Sequence, residues 1–204
     1  MSAMVQVGEC TASTEAMGPG RRACLWVRGC SICCPGCATP EFIPLSTTHG
    51  VSVEEIGAWI ARARTEQQIT GVSFSGGEPF EQAVALAAIA RYARTIGCSV
   101  LSWSGYTRAH LEGSSAPPGS AELLATLDAL IDGPFIAAQQ GGAPPLRGST
   151  NQVLHLLTDR HRSEDFCVRT VEIRTDAQDH PIAVGVDRYA RQHAILRLLG
   201  QSIR

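Results

Sequence analysis

Four of the chain's eight cysteines lie between Cys30 and Cys37, in the stretch RGCSICCPGCATPEF that runs from Arg28 to Phe42. Thiolates packed this densely are metal ligands before they are anything else, and their spacing bears on which metal. Cys30, Cys34 and Cys37 make C-x3-C-x2-C, whereas Cys30 with Cys33 and Cys34 with Cys37 make two abutting C-x2-C pairs. A structural zinc gathers four ligands around a small tetrahedron, and its two knuckles normally stand about a dozen or more residues apart so that each can turn onto the ion. Abutting knuckles do not wrap one ion easily. A cubane iron–sulfur cluster is wider, so three thiolates from one short loop reach three of its irons and leave the fourth open to a ligand. On that reading Cys33 faces away. The scattered Cys10, Cys24, Cys98 and Cys167 read as small buried hydrophobes.

A second group follows in SFSGGEP, Ser73 to Pro79. Glycines at a strand end let a ligand approach the backbone closely, and Glu78 sets a carboxylate where an ammonium group could be held. Taken alone, Gly76 and Gly77 also suit a tight strand-to-helix turn with Glu78 at the helix amino end.

These residues must be positioned by strands and helices. RACLWVRG, Arg21 to Gly29, is β-rich and runs into the cysteine loop. In SVEEIGAWIARARTEQQ, Ser52 and Glu55 form a capping box, and Ile56, Trp59, Ile60 and Ala63 share one helical face. GVSFSGGEP, from Gly71, repeats the strand and glycine turn; FEQAVALAAIARYARTIG follows as a helix with Leu86, Ile89, Ala90 and Ala93 at core spacing, ended by Gly97. CSVLSW is a third strand ending in SGYT. A weakly helical stretch and the surface insertion EGSSAPPGS come next, then a helix in AELLATLDALIDGPF leading to a strand near Ala129 to Asp132. NQVLHLL and CVRTVEIRT read as later strands and VDRYARQHAILRLL as a terminal amphipathic helix. Strands alternating with helices predict an α/β fold with a parallel sheet, open or partly barrelled, and chemistry at the strand carboxyl ends. The turns CSICCPGC, SGGEP, SGY, DGPF and RGSTNQ all fall at that end.

The bulk composition agrees. The 204 residues suffice for one domain with a full core and are few for two. Apolar residues make up 44% and charged ones 18%, with a formal net charge of −2 and both signs interspersed, which lacks the basic footprint of a nucleic-acid binder. No run of about 18 apolar residues suits a membrane span, and no basic segment leads into an apolar one as in a signal peptide. The expectation is a cytoplasmic protein, in whose reducing surroundings clustered cysteines hold metal or catalyse.

The residues also carry a resemblance. GPGRRACLWVRGCSICCPGCATPEF, then FSGGEP, SWSGYT, LIDGPF and LRGSTNQVLHLL, resemble in that order the radical S-adenosylmethionine (SAM) enzymes, specifically the activating proteins of anaerobic, glycyl-radical ribonucleotide reductases. The likeness covers about 18–157. It implies a partial (β/α) barrel of the radical SAM type, one domain over 1–204. It implies a [4Fe-4S] cluster on Cys30, Cys34 and Cys37, and SAM against Gly76, Gly77 and Glu78, with Gly36 and Ala38 near the adenine. Ser75, Ser104, Asp132 and Asn151 complete the cofactor-binding residues so implied, Asp132 and the RGSTNQ loop being candidates for ribose, carboxylate or partner contacts. The implied activity is reductive cleavage of SAM to a 5′-deoxyadenosyl radical that abstracts hydrogen from a glycyl-radical enzyme, fed by a flavodoxin- or ferredoxin-type electron donor. Two departures stand out: Ala38 and Thr39 occupy positions where the family often has an aromatic residue and asparagine, and 162–204 has no matching motif.

Two other functions compete. A free-standing radical SAM enzyme could modify a small molecule or a peptide, and a non-catalytic module could use CSICCPGC as a zinc or cluster staple. A staple needs no second, glycine-rich ligand site. His155 and His161 read as ordinary polar or core residues, and Gly133 to Ser149 as a mobile loop over the site.

Overall fold

A computed structural model describes residues 3–45, 50–167, 171–175 and 181–186. The terminal helix expected within 186–199 falls almost wholly outside them. The strand β1 (Met4–Thr14) pairs antiparallel with β2 (Arg22–Val27) and with β3 (Gly50–Ser52). After β3 the chain enters α1 (Val53–Glu66), where Ser52 Oγ accepts from the Glu55 amide and Glu55 returns a bond to the Ser52 amide, the capping box read from the sequence. Then come β4 (Gly71–Gly76), α2 (Ala83–Thr95), β5 (Ser99–Trp103), the short helices α3 (Arg108–Leu111) and α4 (Ser120–Leu124), β6 (Ala129–Asp132) and β7 (Val153–Leu156). A separate hairpin, β8 (Glu172–Thr175) with β9 (Pro181–Val184), follows.

The main sheet has seven strands in the order β3-β1-β2-β4-β5-β6-β7. Its four central strands, β2, β4, β5 and β6, are parallel and step in one direction, while β1 and β7 run against them and β3, antiparallel to β1, runs with them at the edge. The sheet is therefore mixed, where the sequence suggested an all-parallel one. The reason lies in β1 and β7, which are joined to their partners β2 and β6 without an α-helical crossover: MVQVGECTAST alternates only over its first residues and is broken by register shifts after Val7 and Thr11.

Alternation along β2 sorts its residues to two faces. Ala23, Leu25 and Val27 join a core with Ile56, Ile60 and Ala63 of α1 and Leu86, Ile89, Ala90 and Ala93 of α2, to which Leu111 and Leu123 of the short helices also belong. Trp59 packs against it, partly buried. Cys24 and Trp26 point the other way, into a second core with Met17, Phe42, Leu101, Trp103, Ile131, Leu146, Phe166 and Val184. Helices thus cover one face. Loops and the β8–β9 hairpin cover the other. Cys24 and Cys98 are buried as expected, but Cys10 and Cys167 are exposed: Cys10 lies on the half-exposed β1, and Cys167 follows the one-turn helix Ser163–Phe166, whose inward residue is Phe166.

Beneath the sheet, Arg22 is fully buried. Its Nε donates to Ser73 Oγ (2.7 Å), Nη1 to Ser99 Oγ (2.9 Å) and the Pro19 carbonyl (3.0 Å), and Nη2 to the carbonyls of Val72 (2.7 Å) and Ser99 (3.2 Å). One guanidinium so ties β2, β4 and β5 together through neutral acceptors, and burial lowers its pKa to about 10.

Candidate active site

The cysteine loop leaves β2 and is pinned at its neck. Gly29 and Cys30 donate backbone hydrogen bonds to the carbonyls of Phe42 (2.9 Å) and Ile43 (3.1 Å), closing 30–43 on itself. The parallel register sets Val27 of β2 beside Gly76 of β4, and beyond it Gly77 and Glu78 donate to the carbonyls of Val27 (2.7 Å) and Gly29 (2.8 Å). Here glycine is required. Gly76 has φ +104°, a Cβ there would lie 2.4 Å from the Val27 nitrogen, and one on Gly77 would lie 2.3 Å from the Gly29 oxygen. The two chemistry-bearing turns are therefore fused backbone to backbone.

A half-open cavity lies where they meet. Cys30, Cys34 and Cys37 line it, as do Ala38, Ser75, Gly76, Gly77, Glu78 and Ser104. Cys33 does not; it is exposed, at φ +50°, with its thiol turned back on the Cys30 carbonyl at 3.2 Å. Three of the residues implied by the resemblance fall outside the lining. Gly36 sits in the loop at φ +77°, its α-carbon facing Phe135 and Ala137. Asp132 accepts from the Arg108 amide and lies 3.1 Å from His155 Nε2, serving the turn into α3. Asn151 spends its side chain on the Pro134 carbonyl (2.8 Å) and the Ser149 hydroxyl (2.6 Å). From the same loop it is Gln152 that reaches the cavity.

Among the described residues no three His, Cys, Asp or Glu side chains are drawn together tightly enough to hold a single metal ion. The three thiols instead stand around a cavity, an arrangement that suits a group wider than one ion. Burial pushes the Cys30 and Cys34 thiols up, and hydrogen bonds from the backbone of Cys33 and Ile32 to Cys30, and of Phe135 to Cys34, pull the other way. Thr39 donates its amide to Cys37 Sγ (3.5 Å) and its hydroxyl to the Gly76 carbonyl (3.1 Å). Amides aimed at sulfur favour thiolates, so the donor set fits an iron–sulfur cluster.

Glu78 is buried. Its Oε1 accepts from the Phe80 amide and the Ser104 hydroxyl, both at 2.9 Å, and Oε2 accepts from the Gly105 amide at 2.7 Å. It therefore caps the short helix Pro79–Gln82 and also faces the cavity, both roles that the sequence offered. Desolvation pushes its pKa up to about 7 against those bonds.

Sequence reasoning missed several members. Trp26, Trp103 and Met17 line the cavity from the second face of the sheet; alternation along β2 could have found Trp26. Glu81 was also missed: its Oε1 receives the Ser31 amide (2.9 Å), the Ser31 hydroxyl (2.5 Å) and the Tyr106 hydroxyl (3.2 Å), clasping the cysteine loop from outside. Thr39, a departure from the family pattern, turned out to join the loop to the glycine turn. Residues Gly133 to Ser149 are tied down more than their composition suggested, with Leu146 in the second core, its carbonyl accepting from Trp103 Nε1 at 2.8 Å, and Ser149 buried.

Residues 16–155 match the family model described as "4Fe-4S single cluster domain". The chain is similar to the anaerobic ribonucleoside-triphosphate reductase-activating protein of Vibrio cholerae, 35% identical over 147 residues that cover 69% of this chain and 91% of that protein. The protein of the same name from Salmonella typhi is 33% identical over 147 residues, with the same coverage, and that of Escherichia coli K12 is 29% identical over 147 residues. With its three cavity-facing thiols and this likeness along most of its length, the chain belongs to the family of anaerobic ribonucleoside-triphosphate reductase-activating proteins, built on a 4Fe-4S single cluster domain.

Proposed function

We propose that the chain is a [4Fe-4S]-dependent enzyme that cleaves SAM reductively and passes hydrogen-abstracting power to an anaerobic, glycyl-radical ribonucleotide reductase. The observation that carries this reading is the fusion of two turns around one cavity, with Cys30, Cys34 and Cys37 from the first and Gly76, Gly77 and Glu78 from the second. Cys30, Cys34 and Cys37 would hold the cluster. When bound, the cluster would supply the single electron that splits SAM into methionine and the 5′-deoxyadenosyl radical. The residues do the rest. Glu78 accepts the methionine ammonium, Ser75 and Ser104 offer hydroxyls, and the bare backbone of Gly76 and Gly77 allows close approach. Trp26, Trp103 and Met17 keep water and stray hydrogen donors from a radical that attacks almost any C–H bond.

Four adjacent parallel strands stepping one way, with α1 to α4 packed on one face, support a partial (β/α) barrel. No described helix is long and apolar enough to cross a membrane. A single domain working in the cytoplasm, drawing electrons from a flavodoxin- or ferredoxin-type donor, completes the proposal.

Anaerobic reconstitution tests it. About four irons and four sulfides per chain are expected. With dithionite and SAM the protein is expected to release 5′-deoxyadenosine and methionine, and with an added anaerobic ribonucleoside-triphosphate reductase to give a glycyl radical seen by electron paramagnetic resonance. Stoichiometric zinc without sulfide overturns the radical chemistry. SAM cleavage that never produces the glycyl signal transfers the assignment to a small-molecule or peptide-modifying enzyme.

A further inference from the structure

The family model ends at residue 155, yet the cavity does not end with the residues it covers. Gly185 and Val186, which follow β9, line the same cavity as the cysteine loop. They are held there from two sides. Val184 and Phe166 are buried in the second core with Trp26, Trp103 and Leu146, Val186 packs against that core, and the Glu15 amide donates to Glu172 of β8 at 2.5 Å. The hairpin is thus a fixed part of the chamber.

The chamber's chemistry is one-sided. Away from the thiols and Glu78 its described lining is mostly apolar, Met17, Trp26, Trp103, Phe135 and Val186 among it, with a few neutral polar groups, and it includes no lysine, arginine or histidine. A substrate bearing phosphate or carboxylate at its reacting end would need such a cation to replace its hydration. A backbone glycine needs none. It is neutral, and the apolar walls can close around its α-carbon.

Resting on the function proposed above, we propose that the hairpin end at Gly185 and Val186 is a specificity-determining wall of the chamber: it restricts the hydrogen donor to a neutral, glycine-bearing backbone segment and shuts out anionic small molecules. The wall itself can be read without any cofactor. In reduced apoprotein, iodoacetamide labelling of Cys30, Cys34 and Cys37 is followed against Cys33, which lies outside the lining and serves as the internal standard. Val186→Trp, which fills the chamber, is expected to slow the three relative to Cys33, and Val186→Ala to speed them, while Ile173→Trp on exposed β8 leaves the ratio as in the wild type. Faster labelling in both Val186 variants supports the wall as well, because a dislodged hairpin uncovers the chamber. Unchanged labelling in both overturns it.

In the reconstituted enzyme, Val186→Trp is expected to raise the KM for the reductase about tenfold and to lower uncoupled SAM cleavage by a smaller factor, the pattern of lost substrate fit. Equal losses in both reactions overturn the assignment, since Val186 then serves SAM. Adding ATP as a sample anionic donor is expected to leave SAM cleavage unaccelerated; acceleration with hydrogen transfer from the nucleotide overturns the exclusion. If neither reductase nor ATP accelerates cleavage while Val186→Trp still shields the cysteines, the proposed function fails and the wall stands.

Discussion

Glu78 holds three hydrogen-bond donors in a site that strips its water away, and the two effects pull its acidity in opposite directions. Unfolded, this carboxyl titrates near 4.5; folded, near 7. Between those values the folded chain keeps a proton that the unfolded chain has released, so Glu78's contribution to stability falls as pH rises across the window, by about 3 kcal/mol in all. Gln does not titrate. Urea denaturation of apoprotein at pH 5 and pH 8 is therefore expected to show a decline in the wild type that Glu78→Gln lacks in part, and equal declines in the two proteins would remove burial as the cause. Glu78→Gln is also expected to weaken SAM binding by roughly 1.5 to 3 kcal/mol, the range for a hydrogen bond to a charged group, as measured by equilibrium dialysis. Among the cysteines, Cys30→Ala, Cys34→Ala and Cys37→Ala are each expected to abolish the bound iron and sulfide, whereas Cys33→Ala keeps them. Iron analysis that reverses Cys33 and Cys34 would show the ligand triplet to be misassigned.

Elements with a strong period were legible before the fold was known. The apolar stripes of α1 and α2, the capping box at Ser52 and the strands leading into glycine turns were all readable, because each is a local pattern whose physics lies within a dozen residues. β1 was not: its alternation fades after Val7, and what makes it a strand is the ladder with β2 and β3, a long-range fact. The site divides the same way. Thiols and glycines announce their chemistry by type and spacing, but Thr39, Glu81 and Trp103 act only through neighbours brought from elsewhere, and Asp132 and Asn151, which lie at the right strand ends, turn to local partners instead. Arg22 is a further case, invisible in sequence and spanning three strands. Lysine there would keep the charge but replace a planar fork of five donors with one tip, leaving buried carbonyls and hydroxyls unmatched. Arg22→Lys is expected to cost roughly 3 kcal/mol or more in denaturant unfolding; a loss well under 1 kcal/mol would show that the serines and carbonyls re-pair among themselves.

Among the described residues, α1 to α4 guard one face of the sheet and leave chemistry to the other, against which loops, the one-turn helix Ser163–Phe166 and the hairpin pack. The segment from Gly133 to Ser149 is anchored at Leu146 and Ser149, so shortening it is informative only at its exposed tip, Gly141 and Gly142. Removing those two glycines is expected to lower glycyl-radical formation on the reductase more than uncoupled release of 5′-deoxyadenosine, and chromatography of both products with electron paramagnetic resonance would reveal equal losses if the tip only supports the fold. A different consequence comes from the order of the strands. In the described structure β3 and β7 end the sheet without pairing to each other, so the strands never complete a ring. A ring would form a socket, which can be entered only from above, by the free end of a chain or by a tight hairpin tip. A gap in the wall makes a slot. An unbroken polypeptide can be laid into a slot sideways and lifted out again with both of its ends still fastened to a much larger body, which is what donating a hydrogen from the middle of another protein's chain demands.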